Sequence, residues 1–137
     1  MGEVNVSGSG HRLTIVLRGK IDQHLCTELR SSLEPWLGHR SAATEVLFDL
    51  REVHDYDILG RAELVAMHAA LATRGRRCAY VAEHARIRGL ALLTIGEVGD
   101  GGSRAVATIE QGEAWLAARE QAAVASIEQR GDPRRRS

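Results

Sequence analysis

Between Glu45 and Leu71 the chain reads EVLFDLREVHDYDILGRAELVAMHAAL, a strand, a charged turn and an amphipathic helix in immediate succession, and this stretch limits the possible folds more than any other. Val46, Leu47 and Phe48 form an apolar run ahead of Asp49, the pattern of a strand covered on both faces in the parallel part of an α/β sheet. His54, Asp55, Tyr56 and Asp57 supply the turn. Asp57 is a natural N-cap, because its carboxylate accepts from otherwise unpaired N–H groups and favours the positive end of the helix dipole. A helix is expected from Ile58, with Leu64, Val65, His68, Leu71 and Ala72 on one stripe that packs on a sheet. Backbone donors and side chains converge where a parallel strand feeds a helix, so the candidate site is this junction.

The flanking sequence repeats the alternation. Val4 to Gly10 suggests a short edge strand and turn, and Leu13 to Leu17 (LTIVL) a strand ending at Arg18, Gly19 and Lys20. Gly19, Lys20, Ile21 and Asp22 then make a second strand-to-helix turn. Leu25, Leu29, Leu33 and Leu37, joined by Cys26 and Trp36, give the following helix an apolar face, with Arg30, Ser31 and Glu34 toward water. Pro35 lacks an N–H, so this helix is expected to kink or end near Glu34 or Trp36. Gly38 to Thr44 is a polar connector. Thr73, Arg74 and Gly75 close the central helix, Cys78 to Val81 is a strand, and Ala85 to Leu93 a helix with Gly89 as a weak point. Gly96, Gly99, Asp100, Gly101 and Gly102 suggest a mobile loop, and Ala105 to Ala107 a last strand. Thr108 and Gln111 fit a capping box, with Ala114, Trp115, Ala118, Ala122 and Ile127 on one face of a terminal helix. The order predicts an α/β fold, a mixed sheet of four to five strands with a parallel core packed against about four helices, in a single domain over residues 1–128. Residues 129–137, ending in Arg134 to Arg136, are expected to be a disordered basic tail.

Composition excludes several classes of function. The 137 residues carry 18 basic and 18 acidic side chains, so no global charge draws the chain to nucleic acid or to an anionic membrane. No apolar run approaches the ~20 residues of a membrane span, and Met1 is followed by no basic, apolar leader. Cys26 and Cys78 suit reduced, buried thiols rather than a disulfide framework, and the chain is expected to be cytoplasmic. Lys20 is the sole lysine, and the arginine excess is taken as genomic bias.

These residues resemble the STAS family, the domain of bacterial anti-sigma factor antagonists and of sulfate-transporter tails. Gly19-Lys20-Ile21-Asp22 resembles the family's Gly-x-Leu/Ile-Asp segment. LFDLREVHDYDILGRAELVAM resembles its strand, linker and Asp-Ser-Ser-Gly-Leu turn, with Asp57 and Gly60 on the family's Asp and Gly. RRCAYVAEHARIRGLALLTIG and ATIEQGEAWLAA resemble the elements that follow, so the likeness runs from about Asn5 to Arg119. In the antagonists a serine of that turn is phosphorylated by a partner kinase, and the phosphate breaks a complex. Here the two serine positions are Ile58 and Leu59, and no Ser or Thr occurs from Glu45 to Ala72. The resemblance therefore implies a partner-binding surface without the switch. Ile58 and Leu59 are either packed under the turn or available to dock a partner.

Other candidates are weaker. His54, Asp55 and Asp57 match no established metal-ligand spacing. Tyr56 is an alternative phospho-acceptor, although an aromatic beside a turn is more often packing. His24 with Cys26 lacks a second ligand pair, and His68 on the apolar stripe reads as a satisfied, half-buried histidine. The Gly99 to Gly102 loop has no nearby lysine for phosphate cradling. With no nucleophile, base and orienter together, a hydrolase or transferase using His54 and Asp57 is the remotest reading.

The leading expectation is a non-enzymatic, cofactor-free regulatory module. Its partner, a kinase-type anti-sigma regulator or other STAS subunits, would be bound by Asp22, Asp55, Tyr56, Asp57, Ile58, Leu59, Gly60, Arg61 and Glu63, with Ala62 and Val65 nearby; a homodimer is a further possibility. The alternative is a nucleotide- or lipid-binding sensor, or an accessory subunit of a transporter.

Overall fold

Alternation along the second strand decides which face of the sheet becomes the core. In the computed structural model, which describes residues 2–37 and 45–118, Leu13, Ile15 and Leu17 are buried while Thr14, Val16 and Arg18 are not. Five strands, β1 (Glu3–Ser9), β2 (Arg12–Ile21), β3 (Glu45–Tyr56), β4 (Arg77–Val81) and β5 (Arg104–Val106), form one sheet in the order β1-β2-β3-β4-β5. β1 is antiparallel to β2 at one edge, and the remaining pairs are parallel. The parallel strands are joined by α1 (Gln23–Leu37), α2 (Ile58–Thr73) and α3 (Ala85–Val98).

All three helices share one core with one face of the sheet. Leu13, Ile15, Val46, Phe48, Cys78 and Tyr80 point into it from the strands, and Leu25, Leu29, Leu64, Leu71, Ile87 and Leu90 from the helices. The opposite parity, Leu47, Ala79 and Val81, packs with Leu116 of α4, which occupies residues 109–118. Glu45 through Leu50 are all buried, as expected of a strand covered on both sides. The ring of Phe48 stacks on Tyr80 with centroids 4.5 Å apart. The α/β reading therefore holds: a five-stranded mixed sheet with a parallel core and four helices.

Several boundaries differ from the sequence reading, and the differences have physical causes. β2 runs through Ile21 and β3 through Tyr56, because the stretches read as turns pair with each other, Lys20 beside Asp55 and Ile21 beside Tyr56. Each turn is thereby reduced to one aspartate. Gly19, at φ 93°, takes up a register shift in this extension. α1 passes Pro35 and is helical through Leu37, where the ring removes only a bond to the carbonyl of exposed Ser31. α3 extends to Val98 and absorbs Gly96, and Gly99 closes it at φ 72°. The glycine-rich segment is folded around Asp100, which accepts from the Gly102 N–H at 2.9 Å and the Ser103 hydroxyl at 2.5 Å. The Thr108/Gln111 capping box is present, with bonds of 3.1 and 3.2 Å. The buried face of α4 is Gly112 and Leu116, while Ala114 and Ala118 are exposed. The connector 38–44, Ala122, Ile127 and the tail lie outside the described residues. Among the described residues no helix is long and apolar enough to cross a membrane.

Candidate functional site

Two aspartates end two paired strands and begin two helices. Asp57 is extended, at φ −117° and ψ 177°, and its Oδ1 accepts from the Gly60 N–H at 2.7 Å. Asp22 does the same for α1, its Oδ1 accepting from the Leu25 N–H at 2.8 Å. The Asp57 N–H donates to the Ile21 carbonyl at 3.2 Å, so the two caps are held on one rim. Gly60 lies under this contact and is buried. Its carbonyl accepts from the Cys26 thiol at 3.6 Å, and burial pushes that thiol up to about 11.

The charged candidates around the rim are engaged with one another. Asp55 Oδ1 accepts from the Tyr56 N–H and from Arg86 Nη1, each at 2.8 Å, which holds its carboxyl below the usual range. The Arg86 guanidinium also lies 4.4 Å above the ring of half-buried Tyr56. Lys20 Nζ stands 3.9 Å from Asp57 Oδ2. Arg61 pairs with Glu97 of α3, and Glu63 with Arg30 of α1. The sequence reading named Asp55, Arg61 and Glu63, and Lys20 in the Gly19 to Asp22 turn, but not Arg30, Arg86 or Glu97 as their partners, because these are more than 30 residues distant.

Ile58 and Leu59 have a different environment. They are 83% and 59% exposed, so the reading in which they pack beneath the turn does not hold. As the first two residues of α2 they project beyond the capped turn, whose buried contacts are made by Gly60 and Leu64. His54 is exposed, and among the described residues no group of three His, Cys, Asp or Glu side chains is placed to hold a metal.

A second polar cluster lies inside the fold. His68 is fully buried rather than half-buried. Its Nε2 is 3.0 Å from Asp100 Oδ2 and its Nδ1 is 2.8 Å from the Tyr80 hydroxyl. An ionised carboxylate only accepts, so Nε2 carries the proton and the neutral ring accepts from Tyr80. Burial pulls His68 below its ordinary value against the opposing pull of Asp100. Asp100 stays below the usual carboxylate range although burial opposes it, because Ser103, the Gly102 N–H and His68 hold it ionised. Ser103 Oγ in turn accepts from the Cys78 N–H at 2.9 Å. A histidine on an apolar stripe was the sequence signal for this cluster; Asp100, 32 residues on, was not recognisable as its partner.

Solved structures place this geometry among known folds. An anti-sigma factor antagonist from Mycobacterium paratuberculosis matches with a TM-score of 0.62 and 17% identity over 86% of this chain and 93% of that one. The antagonist SpoIIAA in its unphosphorylated form gives 0.61 and 16%, over 85% and 98%. An RsbS variant from Moorella thermoacetica gives 0.65 and 12%, over 86% and 97%. At these identities the likeness is one of fold. No curated protein matches the chain. The family model described as Mlab, STAS domain, matches residues 4–94, from β1 into α3 and across both capped turns. That match spans more than half of the sequence and includes the Asp57 to Gly60 turn, and the chain belongs to the STAS domain family.

Proposed function

We propose that the chain is a non-enzymatic protein-interaction module of the anti-sigma-antagonist kind, docking its partner through the first turn of α2. The observation that carries this reading is the exposure of Ile58 and Leu59 at the two positions where the antagonists resembled have serine. Exposed aliphatic side chains ringed by polar groups suit a contact centre that excludes water. Around them Asp55, Asp57, Arg61 and Glu63 are already paired within the molecule, so a partner meets a surface with little unpaired charge. With no hydroxyl on either side chain, neither position can take a phosphate ester, and association is constitutive or controlled by the partner. SpoIIAA, by contrast, is described in a phosphorylated form.

The partner class is a kinase-type or scaffold regulator, or another STAS subunit. The test is affinity capture from native cytosol with the unmodified chain beside Ile58→Asp. Recovery of such a regulator by the first and its loss with the second supports the reading. Equal recovery by both, or recovery of no regulator or STAS protein, overturns it.

A further inference from the structure

The interface of α1 and α2 leaves a groove of about 280 Å³ on the helical side of the molecule. Leu33 and Leu37 face Ala66, Met67 and Ala70 across it, and among the described residues the only charged ones lining it are Arg30 and Arg74. Arg30 is neutralised by Glu63. Arg74 has no acidic partner among the described residues; its Nη1 donates to the Ala70 carbonyl at 3.4 Å. Two residues on, Arg76 is 7% exposed. Its N–H donates to the Leu71 carbonyl, its Nη2 reaches the Trp36 carbonyl at 3.5 Å, and its Nη1 has no hydrogen-bond partner among the described residues. Leu71 lines the groove and Trp36 adjoins Leu37, so Arg76 lies behind the end that Arg74 borders. The two guanidiniums are close enough that the charge of Arg74, after burial itself, disfavours that of Arg76.

A pair of neighbouring guanidiniums without a carboxylate is costly when one is buried. Among the described residues no carboxylate pairs with either guanidinium, and the sequence of residues 38–44, GHRSAAT, contains no Asp or Glu. What the place lacks among the described residues is an anion, and what it adjoins is an apolar trough. Among the described residues no aromatic side chain lines the trough to stack a base, which disfavours a nucleotide, and its volume lies just below the ~300–1,000 Å³ of common small-molecule sites. We propose that the α1/α2 groove binds a single-chain anionic amphiphile, its carboxylate or phosphate on Arg74 with Arg76 behind, and its alkyl chain along Leu33, Met67 and Ala70. This site is separate from the Ile58/Leu59 surface and does not depend on the protein-docking reading.

Titration calorimetry of the full chain tests it, using decanoate, dodecanoate and dodecyl phosphate below their micelle concentrations. Inorganic phosphate and an uncharged octyl glucoside serve as controls. The expected result is one bound molecule per chain for either charged head, at least about tenfold tighter than the uncharged amphiphile. Binding should fall by about the same factor in Arg74→Gln, an exposed change that leaves the fold intact, and in Ala70→Trp, which fills the trough. The proposal is overturned by no binding, by equal binding of the uncharged chain, by inorganic phosphate matching dodecyl phosphate, or by indifference to Arg74→Gln. A preference for carboxylate or for phosphate among bound amphiphiles supports it and identifies the head group.

Discussion

The carbonyl of Ile21 occupies the space that a side chain on Gly60 would need: a Cβ there would lie 2.0 Å from the oxygen and 2.5 Å from the carbonyl carbon. Both atoms are backbone, at the end of a strand already bonded to Asp57, so neither can turn aside as a flexible side chain would. The glycine at this point of the turn is thus a packing requirement between β2 and α2.

Gly60→Ala should cost about 3 kcal/mol or more, at the upper end of overpacking, because relief requires moving the helix off the strand. Gly96→Ala, exposed inside α3 with nothing within 4 Å of the added methyl, should instead stabilise by roughly 0.5–1 kcal/mol. Urea midpoints measure both, and similar midpoints for the two variants would contradict the close approach.

Ile58→Asp should leave stability within about 0.5 kcal/mol of the parent, or raise it slightly, since the side chain is exposed and an acid suits a helix N-terminus. Capture of the partner should be lost. Thermal unfolding and capture, run on the same preparation, separate a contact residue from a structural one, and a marked fall in melting temperature would show that the side chain contributes to the core.

Acidification should weaken the fold in two stages. In the unfolded chain His68 takes up a proton near its ordinary value of about 6.5, whereas the folded ring resists until lower pH, so stability is complete above that range and falls as pH drops through it. Asp100, held ionised in the fold, adds a second loss as pH falls below about 3.8. In His68→Gln the first contribution should vanish. Denaturation midpoints at pH 8, 6 and 4.5 give the comparison, and an unchanged slope in the variant would remove His68 from the account.

Neither thiol should be reactive at pH 8. Burial raises Cys26 to about 11, and Cys78, in the central sheet, is raised further by burial and by the charge of Asp100. Disulfide-exchange labelling should proceed only as fast as the chain opens, and should become rapid in denaturant. Prompt labelling in native buffer would contradict the packing of both sites.

The order of strands and helices was legible because each buried face is written with a regular period: every second residue in β2, every third or fourth in α1 and α2. The ends of β2 and β3 were not. Leu50 and Val53 are both buried but three apart, which breaks the strand period, and the shifts after Val16 and Gly19 in β2 match that irregularity. Polar His54 and Asp55 read as a turn, yet both lie within β3, Asp55 beside Lys20 and His54 at the register shift that precedes it. On α4 Trp115 was placed correctly, packed against the Leu47 and Val81 cluster, but Gly112 was missed because a glycine carries no hydrophobic signal, although a Cβ there would lie 3.0 Å from Leu47 and 3.1 Å from Val81. At the candidate site, Asp57 was readable from local cap chemistry, Asp22 from the strand-to-helix turn, and Gly60 from the family resemblance. The exposure of Ile58 and Leu59 was not, since an aliphatic residue by itself argues for burial.

The spatial sequence β1-β2-β3-β4-β5 is also the order in which the strands leave the ribosome. Each new strand finds the edge to which it belongs already built and unoccupied, and the intervening helix covers that addition before the next one arrives. No strand must wait for, or insert between, neighbours made later. Assembly can therefore keep pace with translation, and the last strand among the described residues, the three-residue β5, leaves little open edge on its side of the sheet for a second nascent chain to join.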